Sequence, residues 1–367
     1  MKKYIVIGLI VLVGGALLIV PLMKDDDNPT GSGTRIQPPP PEPLAAQFAF
    51  DQNLAAVCNM LQTIEIQVKE KDIASLKVSF DGNIIKSWDN PTGNVSFPFT
   101  GTVVGTYSFN LIAKMKDGSE VIDERSVRVV SEITPQRLRA EIINSYPHSE
   151  TSFTQGLEFE NGKLYEGTGL YGESRVMEVD LETGSRVDGQ QLDANYFGEG
   201  ITIFNDKLYQ LTWQRGKCFV FDMNPLQLTM EDKSFVGEGW GLCNNGTELI
   251  MSDGSEIIYF RDPETFQEIR RIQVFNDVGP IPQLNELEFI DGKIYANVYQ
   301  TNVIVSIDPQ TGKVLEMINC DDVANRGRGN GLELNGIAYN DTDEKIYLTG
   351  KKWSFLYEVN FVPTTLQ

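Results

Sequence analysis

Ten residues combine chemically useful types with equivalent places in an internal repeat. Gln155, Glu199, Trp240, Asn285 and Asn335 form one set. Gly169, Trp213, Gly254, Tyr299 and Lys351 form the other. A position that serves only the scaffold should carry similar residues in every repeat. These two positions instead carry an acid, an amine, amides and aromatic rings. Such groups, gathered near one end of a channel, can build a small-molecule site. They can equally satisfy one another and buried water, and register alone leaves both readings open.

The elements that position these residues are legible as five units. Gln155-Gly156-Leu157-Glu158-Phe159 recurs as Glu199-Gly200-Ile201-Thr202-Ile203, Trp240-Gly241-Leu242, Asn285-Glu286-Leu287-Glu288-Phe289 and Asn335-Gly336-Ile337-Ala338-Tyr339. These words start at positions 155, 199, 240, 285 and 335. Each is followed by a turn and a second strand, as in Lys163-Leu164-Tyr165, Lys207-Leu208-Tyr209 and Lys293-Ile294-Tyr295. A third strand often ends in a turn such as Ile307-Asp308-Pro309-Gln310-Thr311-Gly312. Four strands per unit of about 40–45 residues is the pattern of β-propeller blades, whose innermost strands surround an axial channel. The fifth unit runs out after its third strand, near Val359. The strand-like stretch Arg139–Tyr146 is expected to complete it and close the ring, leaving no open sheet edge.

Other chemistry is limited by composition. His148 is the one histidine, so multi-histidine metal sites are excluded. It stands outside the repeat register and is expected to be a structural hydrogen-bonder. Cys58, Cys218, Cys243 and Cys320 form no CxxC pair and no disulfide framework; they read as buried thiols, with room for one disulfide. Glu238, two residues before Trp240, is a rival carboxylate to Glu199. Asp253 in Ser-Asp-Gly-Ser reads as a turn residue. With 31 Lys and Arg against 51 Asp and Glu, the net charge is −20, which argues against a nucleic-acid partner.

Tyr4 to Met23 is an uncharged apolar run long enough to cross a bilayer, preceded by Lys2 and Lys3. The positive-inside rule puts the remainder outside the cytoplasm. No cleavage site is evident, so an uncleaved anchor is favoured over a signal peptide. The Gly/Pro-rich stretch after it reads as a spacer. From Leu44 to Pro135, period-two runs such as Ile64/Ile66/Val68 and Leu76/Val78/Phe80 alternate with turn signals. They point to a small antiparallel, immunoglobulin-like β-sandwich without candidate chemistry. The expected fold is therefore all-β. It comprises a signal or membrane anchor (1–24), a linker (25–43), an immunoglobulin-like β-sandwich (44–135) and a five-bladed β-propeller (136–367).

Several words carry a resemblance. Tyr146-Pro147-His148, Phe153-Thr154-Gln155-Gly156-Leu157, Phe197-Gly198-Glu199-Gly200, Tyr209-Gln210-Leu211-Thr212-Trp213, Glu238-Gly239-Trp240-Gly241-Leu242, Leu284-Asn285-Glu286-Leu287-Glu288 and Thr349-Gly350-Lys351 occur in this order. Together they resemble the glutaminyl-peptide cyclotransferases of plant and bacterial type, which are five-bladed propellers. The resemblance spans about 146–360 and leaves out the anchor, linker and small β region. It implies conversion of an N-terminal Gln of peptides or proteins to pyroglutamate with loss of ammonia. It implies Glu199 as acid/base, Gln155, Asn285 and Lys351 as polar partners, and Trp213 and Trp240 as pocket walls. Tyr299 stands where the family usually has Trp, which keeps an aromatic wall and adds a hydroxyl. The scheme requires no metal or other cofactor for catalysis and leaves room for a structural calcium ion. The expected partners are Gln-initiated peptides, with membrane contact through residues 4–23 only and an extracytoplasmic location. Two alternatives compete. One is a non-catalytic propeller that binds a peptide end or glycan. The other is a metal-dependent propeller hydrolase, for which Glu199, Asn285 and Asn335 would be a poor ligand set.

Overall fold

The structure, a computed structural model, describes residues 44–364. The expected membrane span and linker lie outside the described residues. Within these, the chain is all-β apart from one short helix, Asp321–Gly327.

The first described strands form two sheets. One contains Ala46–Phe48, Leu61–Val68 and Val95–Thr100. The other runs in the order Asn53–Val57, Glu120–Val130, Gly105–Met115, Ile73–Phe80, Asn83–Asp89. Strand alternation sends Ile64, Ile66, Leu76, Val78, Phe109, Leu111, Val127 and Val129 into one shared core. The expectation of purely antiparallel pairing needs correction, because Asn53–Val57 pairs in parallel with Glu120–Val130. The chain crosses from one sheet to the other at residues 49–52, and so meets the last strand running in the same direction. This region also packs against the repeat region. Phe275, from the repeat region, is wholly buried in its core. Glu132 accepts hydrogen bonds from Lys313 at 2.8 Å and Asn59 at 2.9 Å.

The repeats form meanders whose strand order is the chain order. Three separate four-stranded sheets begin with Thr154–Glu160, Gly198–Phe204 and Leu242–Asn244. The remaining two meanders, beginning with Leu284–Ile290 and Leu334–Asn340, join in one eight-stranded sheet. The joining strand is Gln136–Pro147. It pairs antiparallel with Phe355–Pro363 and, through Gln136–Arg139, in parallel with Val314–Asn319. The antiparallel pairing supplies the outer strand anticipated for the last unit. The parallel pairing was not anticipated, and because of it the expected five separate blades appear as three sheets of four strands and one of eight. The first strands of the five repeats pack side by side in a closed cycle, giving a propeller-like ring.

One irregularity recurs in four of these first strands. Pairing with the second strand slips between Thr154 and Gly156, Gly198 and Ile201, Leu284 and Leu287, and Leu334 and Ile337. The residues passed over are Gln155 alone, and Glu199, Asn285 and Asn335 each with the following residue. A bulge re-aims the side chain it releases. Each residue of the first set except Trp240 is therefore turned by the same local device.

Candidate active site

The second set is tied to the first by a repeated backbone bond. The N–H groups of Gly169, Trp213, Tyr299 and Lys351 donate to the carbonyls of Phe153, Phe197, Gln283 and Glu333 at 2.8–3.0 Å. Each acceptor lies two residues before a first-set residue. Both sets thus meet at the end of the ring where first strands begin and second strands finish.

The result is a buried polar floor under a half-buried aromatic rim. Gln155, Glu199, Asn285, Asn335 and Lys351 are buried. Asn335 donates through Nδ2 to Gln155 Oε1 at 3.0 Å, which leaves the Gln155 amino group for the Glu199 carboxyl. Asn285 Oδ1 and Asn335 Oδ1 are buried acceptors without a hydrogen-bond partner. The Lys351 ammonium lies 4.7 Å from the Tyr299 ring centre and 5.0 Å from that of Phe153. Above, Trp240 meets Tyr299 edge-on at 5.5 Å, and Phe197 meets Trp213 at 5.6 Å. Glycine makes room for two of these rings. A Cβ on Gly254, whose φ is +83°, would run into the Trp240 indole, and one on Gly169 would meet Phe197.

Burial pushes the Glu199 carboxyl well above the usual carboxylate range. Lys351 opposes that shift, Glu238 adds to it, and Gln155 opposes it. Burial holds the Lys351 ammonium below the ordinary lysine range, against the pull of Glu199 and Glu333. Each of the two groups thus opposes the effect of burial on the other.

The structure thus places Glu199, Gln155 and Lys351 together, with Trp213, Trp240 and Tyr299 around them. Asn285 joins through its equivalent bulge on the neighbouring first strand. Glu238, singled out in the sequence as a rival carboxylate, belongs to a third set two residues upstream of the first, whose other members, Phe153, Phe197, Gln283 and Glu333, sequence reasoning did not recognise as a set. The same register would have found it. Phe153 and Phe197 are rim walls, and Glu333 acts on Lys351. Glu238 Oε2 accepts from Trp213 Nε1 at 2.7 Å and from Trp240 Nε1 at 3.0 Å.

His148 lies behind this floor. Its Nδ1 meets Trp353 O at 2.8 Å and its Nε2 meets Glu166 Oε1 at 3.2 Å. Ser152 and Thr154 also donate to Glu166, so this buried network fixes the loop leading into Gln155. Burial would lower the imidazole pKa, but Glu166 raises it overall. All four cysteines are buried and none of them forms a disulfide. Asp253 caps its turn by accepting from the backbone N–H of Ser255 at 3.0 Å. Deeper in the channel, Glu286 accepts the N–H groups of Leu157 and Ile337 at 3.2 and 2.8 Å. Among the described residues, no group of three or more His, Cys, Asp or Glu side chains is arranged to hold a metal ion. A separate polar cleft, lined by Ser149, Glu166, Thr168, Arg175 and Arg186, lies beside the first meander and contains none of the acid–amine pair.

The fold and floor define a class: an all-β, propeller-like ring with one carboxyl–amine pair under an aromatic rim. The family model described as glutamine cyclotransferase matches residues 116–361, and the chain belongs to that family. The glutaminyl-peptide cyclotransferase of Arabidopsis thaliana is 35% identical over 224 residues, covering 60% of this chain and 70% of the relative. The crystal structure of Myxococcus xanthus glutaminyl cyclase is similar with a TM-score of 0.59 and 35% identity. That match covers 63% of this chain and 99% of the other.

Proposed function

We propose that this protein converts the N-terminal Gln of peptides or proteins to pyroglutamate and releases ammonia. The observation that carries the reading is the Glu199–Lys351 pair on a buried amide floor beneath aromatic walls. The α-amine nitrogen attacks the side-chain amide carbon; the new C–N bond closes the ring and the old C–NH2 bond breaks. Glu199 takes a proton from the attacking amine and returns it to the departing ammonia. Such transfer is worth about 10²–10⁴ in rate. The unpaired Asn285 Oδ1 offers the incoming amine an acceptor. Lys351 and the Gln155 amide stabilise the negative oxygen of the tetrahedral intermediate. Trp213, Trp240 and Tyr299 fold the substrate so that amine and carbonyl meet, which is the main demand of an intramolecular reaction. The scheme uses no metal.

In this reading the meanders are five blades occupying 136–367, two of them sharing the strand Gln136–Pro147. Residues 44–135 are an immunoglobulin-like sandwich docked on the ring, and 25–43 are a linker. Residues 4–23 hold the enzyme at the outer face of a membrane, where exported peptides are its substrates. The test is ammonia release from a Gln-initiated dipeptide, with an Asn-initiated dipeptide as control. A folded preparation that releases none from either refutes the reading.

A further inference from the structure

Glu238 is the one carboxylate of the upstream set that is fixed by its neighbours' indoles. Oε2 alone receives both Trp213 and Trp240, at 2.7 and 3.0 Å, while Oε1 accepts from Gln214 at 3.2 Å. The two tryptophans come from different meanders. Trp213 follows the second strand of one, Lys207–Thr212, and Trp240 precedes the first strand of the next, Leu242–Asn244. Backbone bonds hold the segments themselves, with Gly239 N–H donating to Trp213 O and Trp240 N–H to Ser252 O, both at 3.0 Å. Those bonds leave each indole free to turn about its side-chain torsions. An indole has a single donor, so pinning that N–H removes most of the remaining freedom. A carboxylate acceptor makes both bonds charge-assisted. Trp240 is restrained further by Gly254 beneath it and Tyr299 at its edge.

We propose that Glu238 is the positioning residue of the site: its carboxylate clamps the Trp213 and Trp240 indoles in the one arrangement that folds a Gln-initiated substrate for ring closure. This rests on the functional reading above. Glu238 transfers no proton in the reaction. Its effect reaches the substrate through the two rings, and an acceptor oxygen at that place is what the clamp requires.

The test uses Glu238→Gln, Glu238→Asp and Glu238→Ala in the full chain. The protein has four tryptophans, so the ¹H–¹⁵N spectrum carries four indole N–H signals, two of them assigned through Trp213→Phe and Trp240→Phe. Glu238→Ala should shift both of these signals upfield and leave those of Trp88 and Trp353 in place. It should lower kcat/KM about 10²-fold, since small misplacement of positioning groups costs that much. Glu238→Gln keeps an acceptor oxygen. It should hold both signals near their parent positions and recover at least about tenfold of the lost kcat/KM, the remainder reflecting a weaker neutral acceptor. Glu238→Asp, one methylene shorter, should keep one indole bond and lose the other; it carries the test if Glu238→Ala does not fold. Unmoved indole signals in Glu238→Ala refute the clamp whatever the activity. Equal activity losses in Glu238→Gln and Glu238→Ala, with the Gln variant's indole signals intact, refute it too, because charge and not geometry would then matter. A parent that releases no ammonia refutes the functional reading instead, and does so independently of the spectra.

Discussion

Glu199→Gln is the sharpest probe of the acid–base pair. The site already accommodates amides at the equivalent positions 155, 285 and 335, so the substitution fits the same bulge. It deletes only the ability to take and return a proton. Loss of that step should lower kcat about 10²–10⁴-fold, a barrier increase of about 3–5 kcal/mol. Stability should move the other way. The folded-state pKa of Glu199 is raised, chiefly by burial. Its contribution to stability is therefore fully present below the unfolded-state value of about 4.5, and is lost as pH rises through the folded value. The variant cannot ionise and escapes that loss. Lys351 loses its counter-charge in the variant and is driven further towards the neutral amine, which avoids leaving a bare buried cation. Near neutral pH the variant should melt at or above the parent temperature. The assays are steady-state ammonia release and calorimetry over pH 5–9. Near-parent kcat in Glu199→Gln would show that the proton moves elsewhere, and the assignment would fail outright if Glu238→Gln abolished turnover instead.

Four further outcomes are expected. Phe275→Ala should cost about 3–5 kcal/mol, as other buried aromatic truncations do, with kcat unchanged below the melting transition. A fragment starting at Glu132 should likewise stay active but lose stability, because it uncovers Phe275; denaturant melts and turnover of both proteins check this. Burial raises the Glu158 carboxyl to about 8, from a usual value near 4.5. Its stabilising contribution is present below about 4.5 and lost as pH rises to about 8. The stability of Glu158→Gln relative to the parent should therefore improve across that window and level off above it, as read by urea melts at several pH values. Activity should survive exhaustive chelation; a loss restored by zinc would refute the metal-free scheme, and a loss with unfolding restored by calcium would reveal a structural ion.

The repeat period and the alternating strands made the ring and the small β region legible, because strand periodicity and turn residues are local signals. The two site sets were legible for a different reason. They are the places where a repeat stops repeating, and Glu199 among amides is the clearest case. Three features were not legible. The parallel pairings at Asn53–Val57 and Gln136–Arg139 join strands far apart in the chain, and no local pattern encodes them. Phe275 reads as an ordinary strand-end aromatic, since nothing near it in sequence tells which core receives it. Glu238 was noticed as a carboxylate near Trp240, but its bonds to two indoles were not legible, because one of them comes from Trp213 in a neighbouring meander.

The shared bulge explains how such unlike residues can occupy one structural position. Pairing slips at the same place in four first strands, and the backbone bond to the second-strand end is the same in all four. These constraints are carried by main-chain atoms and do not depend on the side chain released. The scaffold therefore holds an acid at 199 and amides at 155, 285 and 335 by the same kind of main-chain device. What the scaffold does not supply is orientation of the large rings, whose side-chain torsions lie beyond the reach of backbone bonds. That task falls to Gly254 beneath Trp240 within one meander and to contacts between meanders: Gly169 beneath Phe197, Tyr299 at the edge of Trp240, and Glu238 bonded to both indoles. Substitutions on the floor should accordingly change chemistry while sparing the fold, whereas substitutions among these cross-meander contacts should change how well the substrate is held.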